Sequence, residues 1–143
     1  LNIIKNFKKD ISLSIVGIER DVKKTIKQEN VNILEIETSE DKLIELYDNH
    51  NIFILPSFTE GHPMVLLESL ARSRPVIIFE EISHVVGSKK GVFIAKRNSE
   101  SLLEKIEYIR SNYSKIQEDI KKNRLPTNDE FISQIEKILS NNL

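Results

Sequence analysis

Short runs of β-branched and aliphatic residues alternate along this chain with longer segments whose apolar positions recur every three or four residues. The short runs predict strands, because β-branched side chains favour extended backbone, and the longer segments predict amphipathic helices. The predicted strands are residues 11–17, 31–36, 51–55, 75–79 and 91–95. The predicted helices are residues 21–29, 39–49, 64–73, 99–122 and 129–139.

Most successive strands are separated by one helix, which predicts right-handed βαβ units and a parallel sheet with helices on both faces. The fold class is therefore α/β. Residues 51–55 are apolar at nearly every position, which indicates a central strand buried on both faces. Ligands of such sheets bind beyond the carboxyl ends of the strands, so we expect a site at the turn after Leu55.

Composition fits one globular domain, which we assign to residues 1–143. The chain is 39% hydrophobic and 30% charged, and its formal net charge is -1. Because this balance gives no broad basic surface, we expect no nucleic-acid partner. We expect the basic residues to lie on solvated helix faces beside acidic residues.

Two residue types limit the possible chemistry. Cysteine is absent, which excludes disulfides, thiolate catalysis and cysteine metal sites. The three histidines, His50, His62 and His84, are too scattered to predict a metal site. No apolar stretch has transmembrane length and no signal peptide is visible, so we expect a cytoplasmic protein, with peripheral contact at the inner face of a membrane left open. The apolar start at residues 1–4 indicates a fragment.

The candidate chemistry lies in residues 56–68, which read Pro-Ser-Phe-Thr-Glu-Gly-His-Pro-Met-Val-Leu-Leu-Glu. We expect a helix with Pro63 at its first position, where the missing N–H costs nothing. The unpaired amides of the following residues then point at an incoming anion. Glu60 in the turn and Glu68 in the helix frame this site. Such a site suits a phosphate flanked by hydroxyl-rich groups.

The two glutamates also carry a family resemblance. Seven residues separate Glu60 from Glu68, with Pro-Ser before the pair and Gly-x-Pro inside it. This pattern resembles the signature of retaining nucleotide-sugar glycosyltransferases of the GT-B fold (group 1, family 4 type). The similarity continues in order through residues 67–71, 74–77, 91–94 and 101–102. One glutamate spacing alone would be a weak signal, whereas an ordered series of segments in a βαβ context is specific.

The resemblance implies a Rossmann-like domain, the C-terminal, donor-binding half of a GT-B fold. It implies a hexosyltransferase that moves a sugar from a nucleotide-sugar, most often UDP-linked in such families, to an acceptor glycan or lipid. The donor is a substrate, and no cofactor is expected. The N-terminal acceptor-binding domain would be missing from this chain, so we expect the chain alone to be inactive. By analogy, the pathway would be polysaccharide biosynthesis.

The resemblance also implies residue roles. Glu68 would accept hydrogen bonds from the ribose hydroxyls, although a surface ion pair with Arg72 is the simpler alternative. Glu60 would be the catalytic residue, contacting the transferred sugar without acting as an obvious nucleophile, although it could instead satisfy local turn amides. The other donor-binding candidates are Ser57, Gly61, His62, Met64 and Val65. Of these, Ser57 could equally be a turn hydroxyl, and an exposed loop position is the simpler role for His62.

Three departures from the family pattern keep a second function open. In the family, an Arg and a Lys before this domain's first helix normally neutralise the diphosphate, and this sequence does not include that pair. Ser73 stands where glycine is usual, and residues 80–83 replace a pair of glycines. The alternative is a non-catalytic module that binds nucleotide or docks a partner. A dinucleotide-dependent oxidoreductase fits poorly, because no Gly-x-Gly-x-x-Gly follows the first strand.

Overall fold

The computed structural model describes residues 11–17 and 30–140. Within them the strands are β1 (Leu13–Val16), β2 (Val31–Leu34), β3 (Phe53–Leu55), β4 (Val76–Phe79) and β5 (Val92–Ala95). The α-helices are α1 (Glu40–Asp48), α2 (Met64–Ala71), α3 (Ser99–Ser111), α4 (Tyr113–Ile120) and α5 (Asn128–Ser140), and a 3₁₀ helix spans Glu80–Val85. The predicted helix at 21–29 and the apolar start at 1–4 lie outside the described residues.

All described strand pairs are parallel, which confirms the predicted α/β class. The strands form two hydrogen-bonded sheets, β1–β2 and β3–β4–β5, rather than one continuous ladder. Phe53 of β3 is in register with Val76 of β4, which in turn pairs with Val92 of β5. Helix α2 connects β3 to β4, as expected for a βαβ unit.

The central buried strand is β4, not the predicted segment at 51–55. All four β4 residues are buried, whereas only Leu55 is buried in β3, which lies at one side of its three-stranded sheet. Both segments are apolar, so the sequence alone could not rank them. The difference arises because β4 has a hydrogen-bonded strand on each side. Its carboxyl end leads directly into the 3₁₀ helix, at the same edge of the sheet as the turn that follows β3.

The core packs α2, α3 and α4 against the three-stranded sheet. The innermost residues of this core are at most 2% exposed: Leu66, Leu70, Val76, Ile77, Ile78, Ile82, Ile109 and Ile120. Burial of each such side chain contributes about 1.5–3 kcal/mol. No helix in the described ranges is long and apolar enough to cross a bilayer.

Two helix predictions need correction. The predicted helix at 99–122 is two helices, because the backbone departs from helical geometry at Asn112 (φ -122°). The Asn112 side chain donates a hydrogen bond to the carbonyl of Tyr108 (2.8 Å), and such local bonds compete with the helical ladder. Pro63 is the N-cap residue of α2 rather than its first helical residue, since its ψ of 105° is extended.

Candidate functional site

The site is built where β3 ends at Leu55 and the chain turns into α2. Pro63 gives no side-chain hydrogen bond to the first turn of α2. The amide of Leu66 donates to the Pro63 carbonyl at 3.2 Å. The amides of Met64 and Val65 come before Leu66, in the first turn of α2. Amides in that position have no partner within their own helix and attract anions. The side chains of both residues are exposed.

Glu60 is fixed in the turn by two hydrogen bonds. The Ser57 hydroxyl donates to Oε1 of the carboxylate at 2.6 Å. Nε2 of His84, on the 3₁₀ helix, lies 2.8 Å from the Glu60 carbonyl oxygen. Because that carbonyl can only accept, the imidazole nitrogen donates. The side chain of Glu60 is thus oriented from within the turn, and its main chain is tied to the segment after β4.

Glu68 is oriented by a residue from a different helix. The hydroxyl of Tyr47, in the last turn of α1, donates to Glu68 Oε2 at 2.9 Å and lies 3.4 Å from the Val65 carbonyl. Burial, and next the hydrogen bond to Glu68, raise the pKa of Tyr47 above its usual range. The hydroxyl therefore stays protonated, as a donor to Glu68 must be.

The simpler role considered for Glu68, an ion pair with Arg72, is wrong. Arg72 instead forms a bidentate ion pair with Asp48: Nε lies 2.9 Å from Oδ1, and Nη2 contacts Oδ2. This hydrogen-bonded pair holds the pKa of Asp48 below its usual range. Glu68 is left exposed on the surface of α2, with Tyr47 as its described hydrogen-bond donor.

Arg97 fixes the main chain of the turn. Its Nη1 donates to the Pro56 carbonyl at 2.9 Å and its Nη2 to the Ser57 carbonyl at 2.8 Å. The guanidinium also pairs with Glu81 (Nε to Oε1, 2.8 Å) and lies 3.9 Å from the ring centroid of Phe58. The hydrogen bond from Arg97 lowers the pKa of Glu81. Nothing local in the sequence predicted this contact, since Arg97 follows the turn by 40 residues or more.

A cavity of about 210 Å³ lies between the turn and the 3₁₀ helix. The polar side chains that line it are His62, His84 and Lys89, and Gly61 contributes backbone. Pockets that enclose a whole drug-sized ligand have about 300–1,000 Å³, so this one fits a single group of a larger ligand. Lys89 Nζ lies 3.2 Å from the Val85 carbonyl and brings positive charge to the cavity.

The described residues offer no group of three or more His, Asp or Glu side chains that could hold a metal ion. The turn and α2 offer two carboxylates, each oriented by its own hydrogen bond, together with helix amides. The cavity beside the turn is lined by Lys89 but by neither glutamate. Carboxylates accept hydrogen bonds from hydroxyl groups, and free helix amides attract negative charge.

Residues 1–125 match the family model described as glycosyl transferases group 1. The chain belongs to that family. No curated protein matches the chain. Among solved structures the chain is similar to the crystal structure of TarM, with a TM-score of 0.65 and 18% identity. The similarity covers 94% of this chain but only 30% of TarM, so it shows the fold alone and the chain spans less than a third of that protein.

Most of the sequence-predicted site residues of this group 1 glycosyl transferase domain lie in the turn and the first turn of α2. Ser57 donates a hydrogen bond to Glu60. The cavity is lined by Gly61 and His62, and α2 begins with Met64 and Val65. Glu68 lies one turn further along α2. Sequence reasoning missed Tyr47, Arg97 and Lys89, which reach the site from α1, the loop before α3 and the loop after the 3₁₀ helix.

Proposed function

We propose that this chain is the C-terminal, donor-binding domain of a retaining glycosyltransferase that moves a hexose from a UDP-sugar to an acceptor glycan or lipid. The observation that supports this most is the pair of separately oriented carboxylates, Glu60 in the turn before α2 and Glu68 within α2. Membership of the glycosyl transferases group 1 family supports the same reaction class.

The donor would lie along the turn. Glu68 would accept hydrogen bonds from the ribose hydroxyls, and the amides of Met64 and Val65 would donate to the diphosphate. The hexose would occupy the cavity side, where Glu60 would accept hydrogen bonds from sugar hydroxyls, with His62 and the Gly61 backbone as neighbours. Lys89 would supply positive charge that the sequence did not predict.

In the proposed reaction the bond between the anomeric carbon and the diphosphate oxygen breaks, and the acceptor oxygen forms its bond on the same face of the sugar. The departing diphosphate accepts the proton of the acceptor hydroxyl. Helix amides stabilise the negative charge that develops on this leaving group. Glu60 assists by fixing the sugar, and no covalent bond to it is required. The acceptor would bind to a separate N-terminal domain, and closing the cleft between the two domains would exclude water.

Titration of the chain with UDP by isothermal calorimetry tests this proposal. Glu68→Gln removes the charge that strengthens the ribose hydrogen bonds, so the dissociation constant should rise roughly 10- to 100-fold. The matched control is Glu118→Gln, which removes an exposed carboxylate on α4 and should leave the affinity unchanged. Equal affinities of wild type and Glu68→Gln would contradict the role of Glu68.

The second candidate is a non-catalytic module that docks a partner protein. Helix α5 favours it, because Ile132, Ile135, Ile138 and Leu139 are 46%, 40%, 61% and 60% exposed. The replacement of the family's paired glycines by a segment whose Glu81 is engaged by Arg97 also favours it. If UDP and UDP-hexoses fail to bind at millimolar concentration, this module becomes the better description.

A further inference from the structure

Tyr47 connects helices α1 and α2, a contact that no sequence pattern predicted. It lies in α1, 21 residues before Glu68, and its hydroxyl reaches Glu68 Oε2 at 2.9 Å. The same hydroxyl is 3.4 Å from the Val65 carbonyl. A phenol hydroxyl that is hydrogen-bonded to an exposed carboxylate restricts the orientations that the carboxylate adopts. Glu68 is therefore not a freely rotating surface glutamate.

Tyr47 is itself held on two further sides. Its ring meets the ring of Phe53 edge-on, with 5.9 Å between centroids and an angle of 70°. Its carbonyl accepts a hydrogen bond from Arg74 Nε at 3.0 Å, and Arg74 Nη2 donates to the Asp48 carbonyl at 2.9 Å. The backbone, the ring and the hydroxyl of Tyr47 are thus each fixed by a different neighbour.

We propose that Tyr47 is the positioning residue that orients Glu68 toward the ribose and makes the site selective for ribonucleotides. The hydroxyl uses one acceptor site of Oε2 and leaves the other acceptor sites of the carboxylate for the ribose hydroxyls. Without it, Glu68 would have to give up rotamer freedom on binding, which weakens affinity. This inference rests on the proposed function, since it assumes that Glu68 meets the ribose.

A purely structural tie between α1 and α2 would predict something different. The ion pair between Asp48 and Arg72 already joins these helices. Arg74, which follows α2, caps the last carbonyls of α1 independently. Tyr47→Phe keeps the ring contact with Phe53 and removes only the hydroxyl, so we expect the variant to fold. If the role of Tyr47 is only structural, loss of its hydroxyl should weaken the binding of every nucleotide equally. If Tyr47 positions Glu68, the loss should weaken only the binding of nucleotides that carry ribose hydroxyls.

The experiment compares UDP with 2′,3′-dideoxy-UDP, titrated by calorimetry into wild type, Tyr47→Phe, Glu68→Gln and the double variant. Tyr47→Phe should weaken UDP binding about fivefold to tenfold and leave dideoxy-UDP binding unchanged. The double variant should bind UDP no more weakly than Glu68→Gln, because the two residues act as one unit. Tyr108→Phe is the control, since it removes a hydroxyl from a 54% exposed ring on α3.

The outcomes separate the two proposals. If Glu68→Gln weakens UDP binding but Tyr47→Phe does not, the proposed function stands and the role of Tyr47 is wrong. Equal weakening of UDP and dideoxy-UDP binding by Tyr47→Phe also contradicts the role proposed for Tyr47. If wild type binds neither nucleotide, the proposed function and this inference both fall. An independent measurement uses wild type alone: the ring NMR signals of Tyr47 should shift on adding UDP and much less with dideoxy-UDP, and identical shifts would contradict the proposal.

Discussion

The hydroxyl of Ser57 donates a 2.6 Å hydrogen bond to the carboxylate of Glu60, three residues further along the same turn. The turn therefore sets the direction of its own acidic group. Ser57→Ala should release that carboxylate and weaken the binding of a UDP-hexose about threefold to tenfold, because a hydrogen bond to a charged group is lost. UDP alone should bind as before, since it lacks the hexose.

Calorimetric titration with UDP and UDP-hexose measures both effects in one preparation. Ser57→Thr retains a hydroxyl and is the matched control, with affinities near those of wild type. Equal loss of UDP and UDP-hexose affinity in Ser57→Ala would mean that the substitution disturbs the whole turn rather than Glu60.

Arg97 should stabilise the folded chain as well as the site. Arg97→Ala removes the donors to the Pro56 and Ser57 carbonyls and the contact with Phe58, so the free energy of unfolding should fall by about 1–3 kcal/mol. Arg97→Lys should recover little of this, because an ammonium group lacks the planar fork of donors. Urea unfolding measures the change. Arg124→Ala, at an 89% exposed side chain, should be neutral, and a neutral Arg97→Ala would contradict the role of Arg97.

The pair between Glu81 and Arg97 predicts a pH dependence. The hydrogen bond from Arg97 lowers the folded-state pKa of Glu81 from its ordinary value of 4.5. The contribution of this pair to stability is therefore present above pH 4.5 and is lost as pH falls through the lower folded-state pKa. Below pH 4.5, Glu81→Gln should therefore lose stability less steeply than wild type. Thermal unfolding from about pH 5 to about pH 3 measures this. Parallel curves for the two proteins would contradict the prediction, and Glu118→Gln serves as the control.

Ser73 is strained where α2 ends. Its φ is 57°, and the amides of Ser73 and Arg74 donate to the Leu70 and Ser69 carbonyls, the hydrogen bonds of a Schellman motif. Glycine adopts this conformation without steric cost, so Ser73→Gly should raise the free energy of unfolding by about 0.5–1 kcal/mol. Chemical denaturation measures the gain, and Ser73→Ala, which retains a Cβ, should show none. A destabilised Ser73→Gly would contradict this explanation.

The sequence predicted the described strands and most of the described α-helices, because their apolar residues recur at a regular spacing. It failed where a local competitor acted, as at Asn112, whose side chain bonds a helix carbonyl. It also placed the central buried strand at residues 51–55 instead of β4, because burial on both faces depends on which strands pair.

The candidate site shows the same division. Glu60, Gly61 and Glu68 could be proposed because they lie in one short segment with a motif. Tyr47 and Arg97 could not, since their contacts join residues that are 21 and at least 40 positions apart and leave no periodic signal. The Glu68–Arg72 ion pair was a reasonable local expectation, but Asp48 provides Arg72 with a two-pronged partner.

The central claim is that Glu60 and Glu68 bind opposite ends of one sugar nucleotide. A crystal structure of the chain with a bound UDP-hexose tests it most directly. We predict Glu68 within about 3 Å of a ribose hydroxyl and Glu60 within about 3 Å of a hexose hydroxyl, with the diphosphate at the Met64 and Val65 amides. A nucleotide bound away from the turn, or contacting neither carboxylate, would contradict the account.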